Sequence, residues 1–124
     1  MATVERFEEL KVWQAARDVA NAVYKSSSNG AFARDYGLRD QIRRAAVSIP
    51  SNIAEGFDSR SDAEFVRFLN YAYRSATEVQ SHLYVARDQE YLDEDTFAGV
   101  YDQATTVKKL LNGFIHYLSK RSDK

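Results

Sequence analysis

The chain carries 124 residues, 44% of them hydrophobic and 28% charged, with 17 basic against 18 acidic side chains and a net charge of −1. That length suits one domain, residues 1–124, with a single buried core. The charge balance argues against strong non-specific binding to nucleic acid, which shows as a basic excess. The absence of cysteine excludes disulfides, Cys-ligated zinc and thiol catalysis. No apolar run approaches the roughly 18 residues of a membrane span and no signal-peptide pattern opens the chain, so a cytoplasmic address without a membrane partner is expected. One proline and five glycines leave too little punctuation for a β-rich fold.

Residues 1–6 are expected to be frayed or loosely docked. Phe7, Leu10, Trp13, Ala16, Ala20 and Val23 then recur in steps of three and four, with Lys11, Gln14, Arg17, Asp18, Asn21 and Lys25 on the other face. This is the period of an amphipathic helix, and it predicts a first helix over residues 8–27. Ser26-Ser27-Ser28-Asn29-Gly30 closes it with residues that favour caps and turns. A second helix is predicted over residues 36–57. It holds the stretch that organises the chain, Arg43-Arg44-Ala45-Ala46-Val47-Ser48-Ile49-Pro50-Ser51-Asn52-Ile53-Ala54-Glu55-Gly56. Leu38, Ile42, Ala45, Ala46, Ile49 and Ile53 mark its buried face. Pro50 removes one amide donor and crowds the Ala46 carbonyl, which costs about 3 kcal/mol in a helix interior. One reading ends the helix near Ile49. The preferred one is a kinked helix that runs on, because the apolar period continues through Ile53 and Gly56 suits a left-handed C-cap.

Ser61-Asp62-Ala63-Glu64 has the form of a capping box, with Ser61 taking the Glu64 amide and Glu64 reaching back. It opens a third helix over residues 62–89. Phe65, Leu69, Ala72, Ala76, Val79, Leu83 and Ala86 form a regular seam there. Flanking Phe68, Tyr71, Tyr73 and Val85 widen its apolar arc, which implies a second contact surface. Leu92, Asp93 and Phe97 fit a hydrophobic staple, a cap and the fourth helical residue of a last helix over residues 94–120. Val100, Ala104, Val107, Leu111, Phe114 and Leu118 line it, and Lys120, Arg121 and Lys124 sit near its end, where positive charge suits the helix dipole. Four long helices with short connections predict an all-α fold, an antiparallel up-down-up-down four-helix bundle.

Arg44, Ser48, Asn52 and Glu55 are spaced four, four and three apart and form a polar stripe beside the buried face of the second helix. Ser75, Glu78 and His82 on the third helix are its natural partners, giving a structural polar network that fixes helix register. Glu78 and His82 also have the spacing of an acid–base or metal pair. A di-iron bundle, however, needs two Glu-x-x-His motifs, and none occurs. No catalytic residue, metal ligand or cofactor is therefore assigned. Arg39 and Arg43, with Arg67 and Arg74 on one face of the third helix, are the candidate nucleic-acid-binding residues; arginines beside exposed tyrosines can hold phosphates and stack bases. The competing view is a solvated face laced with Asp35, Asp40, Asp62 and Glu64.

Leu10-Lys11-Val12-Trp13-Gln14, Gln41-Ile42-Arg43-Arg44-Ala45, Ser48-Ile49-Pro50-Ser51-Asn52-Ile53-Ala54-Glu55-Gly56 and Phe68-Leu69 resemble the four-helix bundle proteins associated with intervening sequences in bacterial 23S ribosomal RNA genes. The resemblance spans Phe7 to Leu118, and the Ser-Ile-Pro-Ser-Asn-Ile-Ala-Glu-Gly string is its specific part. It implies a four-helix bundle that assembles into a ring-like homopentamer. Related proteins of this fold serve diversity-generating retroelements as accessory factors, where a basic pentamer binds nucleic acid and a reverse transcriptase. The resemblance carries no established biochemical activity with it.

The expectation is a non-catalytic, homo-oligomeric bundle protein that binds RNA or DNA as an accessory factor, with Arg39, Arg43, Arg67 and Arg74 on phosphates. The alternative is a protein-interaction ring whose apolar and tyrosine-rich surface takes a partner protein instead.

Overall fold

A computed structural model describes residues 4–122 of the chain. A 3₁₀ turn, Phe7–Glu9, precedes five helices: α1 Lys11–Ser26, α2 Gly30–Arg34, α3 Tyr36–Phe57, α4 Asp62–Asp88 and α5 Glu94–Ser122. The described residues are all-α, and the four long helices pack as a bundle. Among them no helix is long and apolar enough to cross a membrane.

The start of the chain differs from the sequence expectation. The Glu9 carboxylate accepts from the amides of Glu5 (3.1 Å) and Arg6 (2.8 Å), so these two residues are tied down. The fraying expected of Met1, Ala2 and Thr3 lies outside the described residues, as does Lys124 at the other end. The first long helix begins at Lys11 instead of residue 8. Leu10 stays extended (φ −73°, ψ 125°), and Phe7 folds edge-on against Trp13 with ring centres 5.1 Å apart.

Between α1 and α3 the turn-forming serines lead into a short helix that the sequence reading placed no element on. Gly30 adopts φ +64°, which a residue without Cβ reaches at no steric cost. Phe32 is then driven into the core at 2% exposure and stacks on Tyr91 at 5.4 Å. The Asp35 carboxylate caps α3 by accepting from the Leu38 amide at 3.2 Å.

α3 continues through Pro50 to Phe57. Ile49 and Ile53, on either side of the proline, are fully buried, and burial of such side chains gives about 1.5–3 kcal/mol each. That offsets the lost amide bond. The role expected of Gly56 is corrected. It is helical and buried, and the cap is Asp58 (φ −83°, ψ −1°), whose amide reaches the Ala54 carbonyl. A Cβ at Gly56 would lie 2.8 Å from both Phe65 Cδ1 and Phe68 Cβ, so glycine is there for close helix approach.

α4 opens on Ser61, whose hydroxyl accepts from the Glu64 amide at 3.1 Å. Glu64 turns to Arg67 (3.1 Å) instead of closing the reciprocal arm of the capping box. α5 opens on Asp93, whose carboxylate accepts from the Thr96 amide at 2.7 Å, with Leu92 and Phe97 both buried.

α4 packs on α3 and α5, and α1 packs on the same two. Ser48 meets Ser75, while Gly56, later in α3, meets Phe65 and Phe68, earlier in α4. Between α4 and α5, Phe65 meets Phe114 at 5.0 Å and Tyr84 meets Phe97 at 5.0 Å. The enclosed core is made of small and branched residues on α1, α3 and α4, with Val107, Leu111 and Leu118 closing it from α5.

Candidate functional site

The four candidate phosphate ligands do not form one surface. Arg43 donates from Nε to Ser27 Oγ (2.8 Å) and from Nη2 to the Ser27 carbonyl (3.2 Å), with its guanidinium 4.5 Å over the Tyr24 ring. It therefore occupies the C-terminal end of α1, where unsatisfied carbonyls attract a cation. Arg39 donates to the Ala33 carbonyl (3.0 Å) and to Asp40 (3.0 Å) and covers Tyr36 at 4.8 Å. Both arginines bind α3 to the preceding segment. Arg67 is 58% exposed and pairs with Glu64 at 3.1 Å. Arg74 is exposed and has no hydrogen bond or ion pair among the described residues. Of the four candidates, Arg39 and Arg43 are hydrogen-bonded to the segment before α3, while Arg67 and Arg74 stand exposed on α4. A guanidinium has five donors in a fixed fork, and a nearby helix end satisfies them as well as a phosphate does.

The predicted polar network is smaller than expected. Ser75 Oγ donates to Ser48 Oγ at 2.9 Å, and Asn52 Nδ2 donates to the Ser48 carbonyl (2.8 Å) and hydroxyl (2.9 Å). The Ser75–Ser48 bond joins α4 to α3, while the Asn52 bonds lie within α3 and fix the Ser48 side chain. Arg44 and Glu55 are exposed and stand outside it. A four-residue step advances about 40° around a helix and a three-residue step retreats about 60°. The stripe therefore swings from solvent at Arg44 towards α4 at Asn52 and back to solvent at Glu55. Glu78 and His82 form a separate pair at 3.3 Å along α4, with side chains 55% and 17% exposed.

Two further polar sites were missing from the sequence reading. Gln80, at 6% exposure, donates to Thr105 Oγ1 (2.9 Å) and the Tyr101 carbonyl (3.3 Å). Its Oε1 accepts from Lys108 Nζ at 3.0 Å, and that ammonium also lies 4.9 Å over Tyr73. The signal was present: Gln80 is four residues after Ala76 and three before Leu83, inside the core period. At one end of the bundle, Tyr91 donates to Asp35 at 2.9 Å, and this bond with the anion holds the phenol pKa above its ordinary value. That contact brings the start of α3 to the acidic turn before α5.

Along α1 and α5 runs an open groove of about 850 Å³, lined by residues that include Ala22, Ser26, Gly99, Val100 and Gln103. Among the described residues no group of three or more His, Cys, Asp or Glu is placed to hold a metal ion.

Among solved structures the chain is similar to a protein of unknown function from the S23 ribosomal protein family of Bacteroides thetaiotaomicron VPI-5482. The two share 27% identity with a TM-score of 0.77, over 84% of this chain and 97% of that one. No curated protein matches the chain. The model of a family described as 23S rRNA-intervening sequence protein matches residues 8–113, a span that runs from the 3₁₀ turn well into α5 and contains the α3 stretch around Pro50. The chain belongs to the 23S rRNA-intervening sequence protein family.

Proposed function

We propose that this protein is a non-catalytic, homo-oligomeric assembly module of the cytoplasm, built as an antiparallel up-down-up-down bundle and working as a ring. The observation that carries this reading is the outer surface of α3 and α4. Val47, Tyr71 and Val85 stand 41%, 39% and 44% exposed there, beside Arg44, Glu55 and Arg74, which have no partner among the described residues. The antiparallel order is supported by the pairs already described, in which later residues of one helix meet earlier residues of the next. A non-catalytic role is supported by Glu78 and His82, which form an ordinary surface pair four residues apart on one helix. A pentamer is what the family resemblance implies. Sedimentation velocity across a concentration series tests the proposal: a discrete oligomer is expected, and a monomer throughout would end it.

Nucleic-acid binding is the second reading, favoured by one observation. Arg67 and Arg74 lie two turns apart on α4, both exposed. A ring repeats such a weak patch, and multivalency raises avidity. Fluorescence anisotropy with labelled RNA and duplex DNA over a salt series tests it. Each duplex phosphate contact contributes about −0.9 to the log–log salt slope. Substituting Arg67 and Arg74 with glutamate is expected to remove binding, whereas Arg39 and Arg43 are expected to matter only through folding.

A further inference from the structure

The exposed side of α5 repeats the register of its buried side. Gly99, Gln103, Thr106, Leu110, Gly113 and Tyr117 each stand one residue before a member of the core stripe that runs from Val100 to Leu118, and all six are exposed. Their steps of four and three make a second heptad-spaced row along about 27 Å of helix. Leu110 and Tyr117 are 39% and 46% exposed. At the other end of the row, Gly99 and Gln103 line the open groove against α1. The glycines are the anomaly, because glycine costs about 1 kcal/mol relative to alanine in a helix interior. Gly56 has a reason within the chain, since a Cβ there would strike Phe65 and Phe68. Gly99 and Gly113 have none: a Cβ at either position meets nothing within 4 Å. Bare positions in such a row are hollows that a side chain from outside the molecule can fill.

The charges select the occupant. From residue 103 to residue 122 the chain has no Asp or Glu. Lys108 and Arg121 are engaged within the chain. Lys109 and Lys120, which bracket Leu110 and Tyr117 along the helix, are exposed and have no partner among the described residues. A second copy would present the same positively charged segment. A polynucleotide would answer the lysines but leave Leu110 and the hollows unfilled. A helix with an apolar stripe and acidic flanks answers both. We propose that the outer face of α5 docks an amphipathic helix of a different protein. Its apolar side chains enter the hollows at Gly99 and Gly113 beside Leu110 and Tyr117, and its carboxylates reach Lys109 and Lys120. This contact does not depend on how copies of the chain assemble.

The probe is a labelled synthetic helix of about three heptads, with leucine at its apolar positions and glutamate on its flanks. The same peptide with lysine on its flanks is the comparison. Fluorescence anisotropy against the full chain is expected to show saturable binding of the acidic helix and binding of the basic one weaker by about tenfold or more. Lys109→Glu combined with Lys120→Glu is expected to reverse that preference. Gly113→Leu fills a hollow and is expected to weaken binding of the acidic helix by about tenfold. It should leave the fold at least as stable, because leucine is the better helix former. Circular dichroism checks the fold of each variant; where Gly113→Leu misfolds, Gly113→Ala serves, with a severalfold loss of binding. No binding of the acidic helix, or equal binding of both helices, overturns the proposal. Gly113→Leu that binds as well as the wild type overturns the seating over the glycines. Loss of self-association in the lysine variant, read by sedimentation velocity, would assign the face to contacts between copies instead. RNA or duplex DNA that displaces the acidic helix at lower concentration than unlabelled peptide does would assign it to nucleic acid.

Discussion

Helix α4 makes two seams that are closed by opposite means. Towards α3 it comes close because a side chain is missing: Gly56 presents bare backbone to Phe65 and Phe68, and the polar contact is a short one between Ser75 and Ser48. Towards α5 the seam is filled by large groups. Phe65 packs on Phe114, and Tyr84 on Phe97 and Tyr101, while Gln80 and Lys108 reach across. Well-packed interiors resist added volume more than flexible contacts do. The close seam should therefore fail on addition of atoms and the filled seam on their removal.

The sharpest way to break the contrast is Gly56→Val. The new Cβ would start 2.8 Å from Phe68 Cβ, an atom next to backbone that cannot rotate away. Overpacking of this kind is expected to cost about 3 kcal/mol in urea denaturation. A loss below about 1 kcal/mol would mean that the α3–α4 seam opens easily. Gln80→Ala attacks the filled seam and is expected to cost about 1–3 kcal/mol, since buried groups lose their partners. Ser75→Ala removes a single bridging bond and is expected to cost about 1 kcal/mol. A double-mutant cycle with Ser48→Ala should then show most of that energy as coupling. Gly113→Ala is the converse of the first test. Nothing lies within 4 Å of its added Cβ, so the better helix propensity of alanine is expected to raise stability by up to about 1 kcal/mol.

These two seams also show how far the sequence could be read. The long helices and their buried faces were legible because three-and-four periodicity reports a helix and its core side together. Pro50 was read through correctly because Ile53 continued the period beyond it. Gly56 was misread because a glycine near a helix end looks the same in sequence whether it caps or lets another helix approach. α2 was hidden by its length, since five residues hold too little pattern to show a period. The candidate arginines were the least legible part. Arg39 and Arg43 sit among other basic residues, and only the fold reveals that the C-terminal carbonyls of α1 and α2 lie within reach. Arg44 and Glu55 were grouped with Ser48 and Asn52 by spacing alone, although the accumulated rotation carries the charged pair back to solvent.

The smallest expected effect lies at the end of the filled seam, where Arg121 donates from Nε and Nη2 to the two oxygens of Asp62 at 2.8 and 2.7 Å. The guanidinium holds the Asp62 pKa below the usual aspartate range and is itself harder to deprotonate. A depressed folded-state pKa contributes stability that is present above the unfolded value and is lost as pH falls through the folded one. Acid should therefore erode the wild type in that window, and Asp62→Asn should flatten the dependence. The two proteins are expected to converge in stability below it. The side chains are 51% and 28% exposed, so solvent screens the pair, and added salt should shrink the difference further. Hydrogen exchange offers the independent reading. Asp62 and Arg121 are 59 residues apart in sequence and clamp the last turns of α5 to the start of α4. Loss of the pair should speed amide exchange in those last turns while leaving the Ser48–Ser75 level of the close seam unchanged. Faster exchange at both places would mean that the two seams of α4 open together, as one cooperative unit.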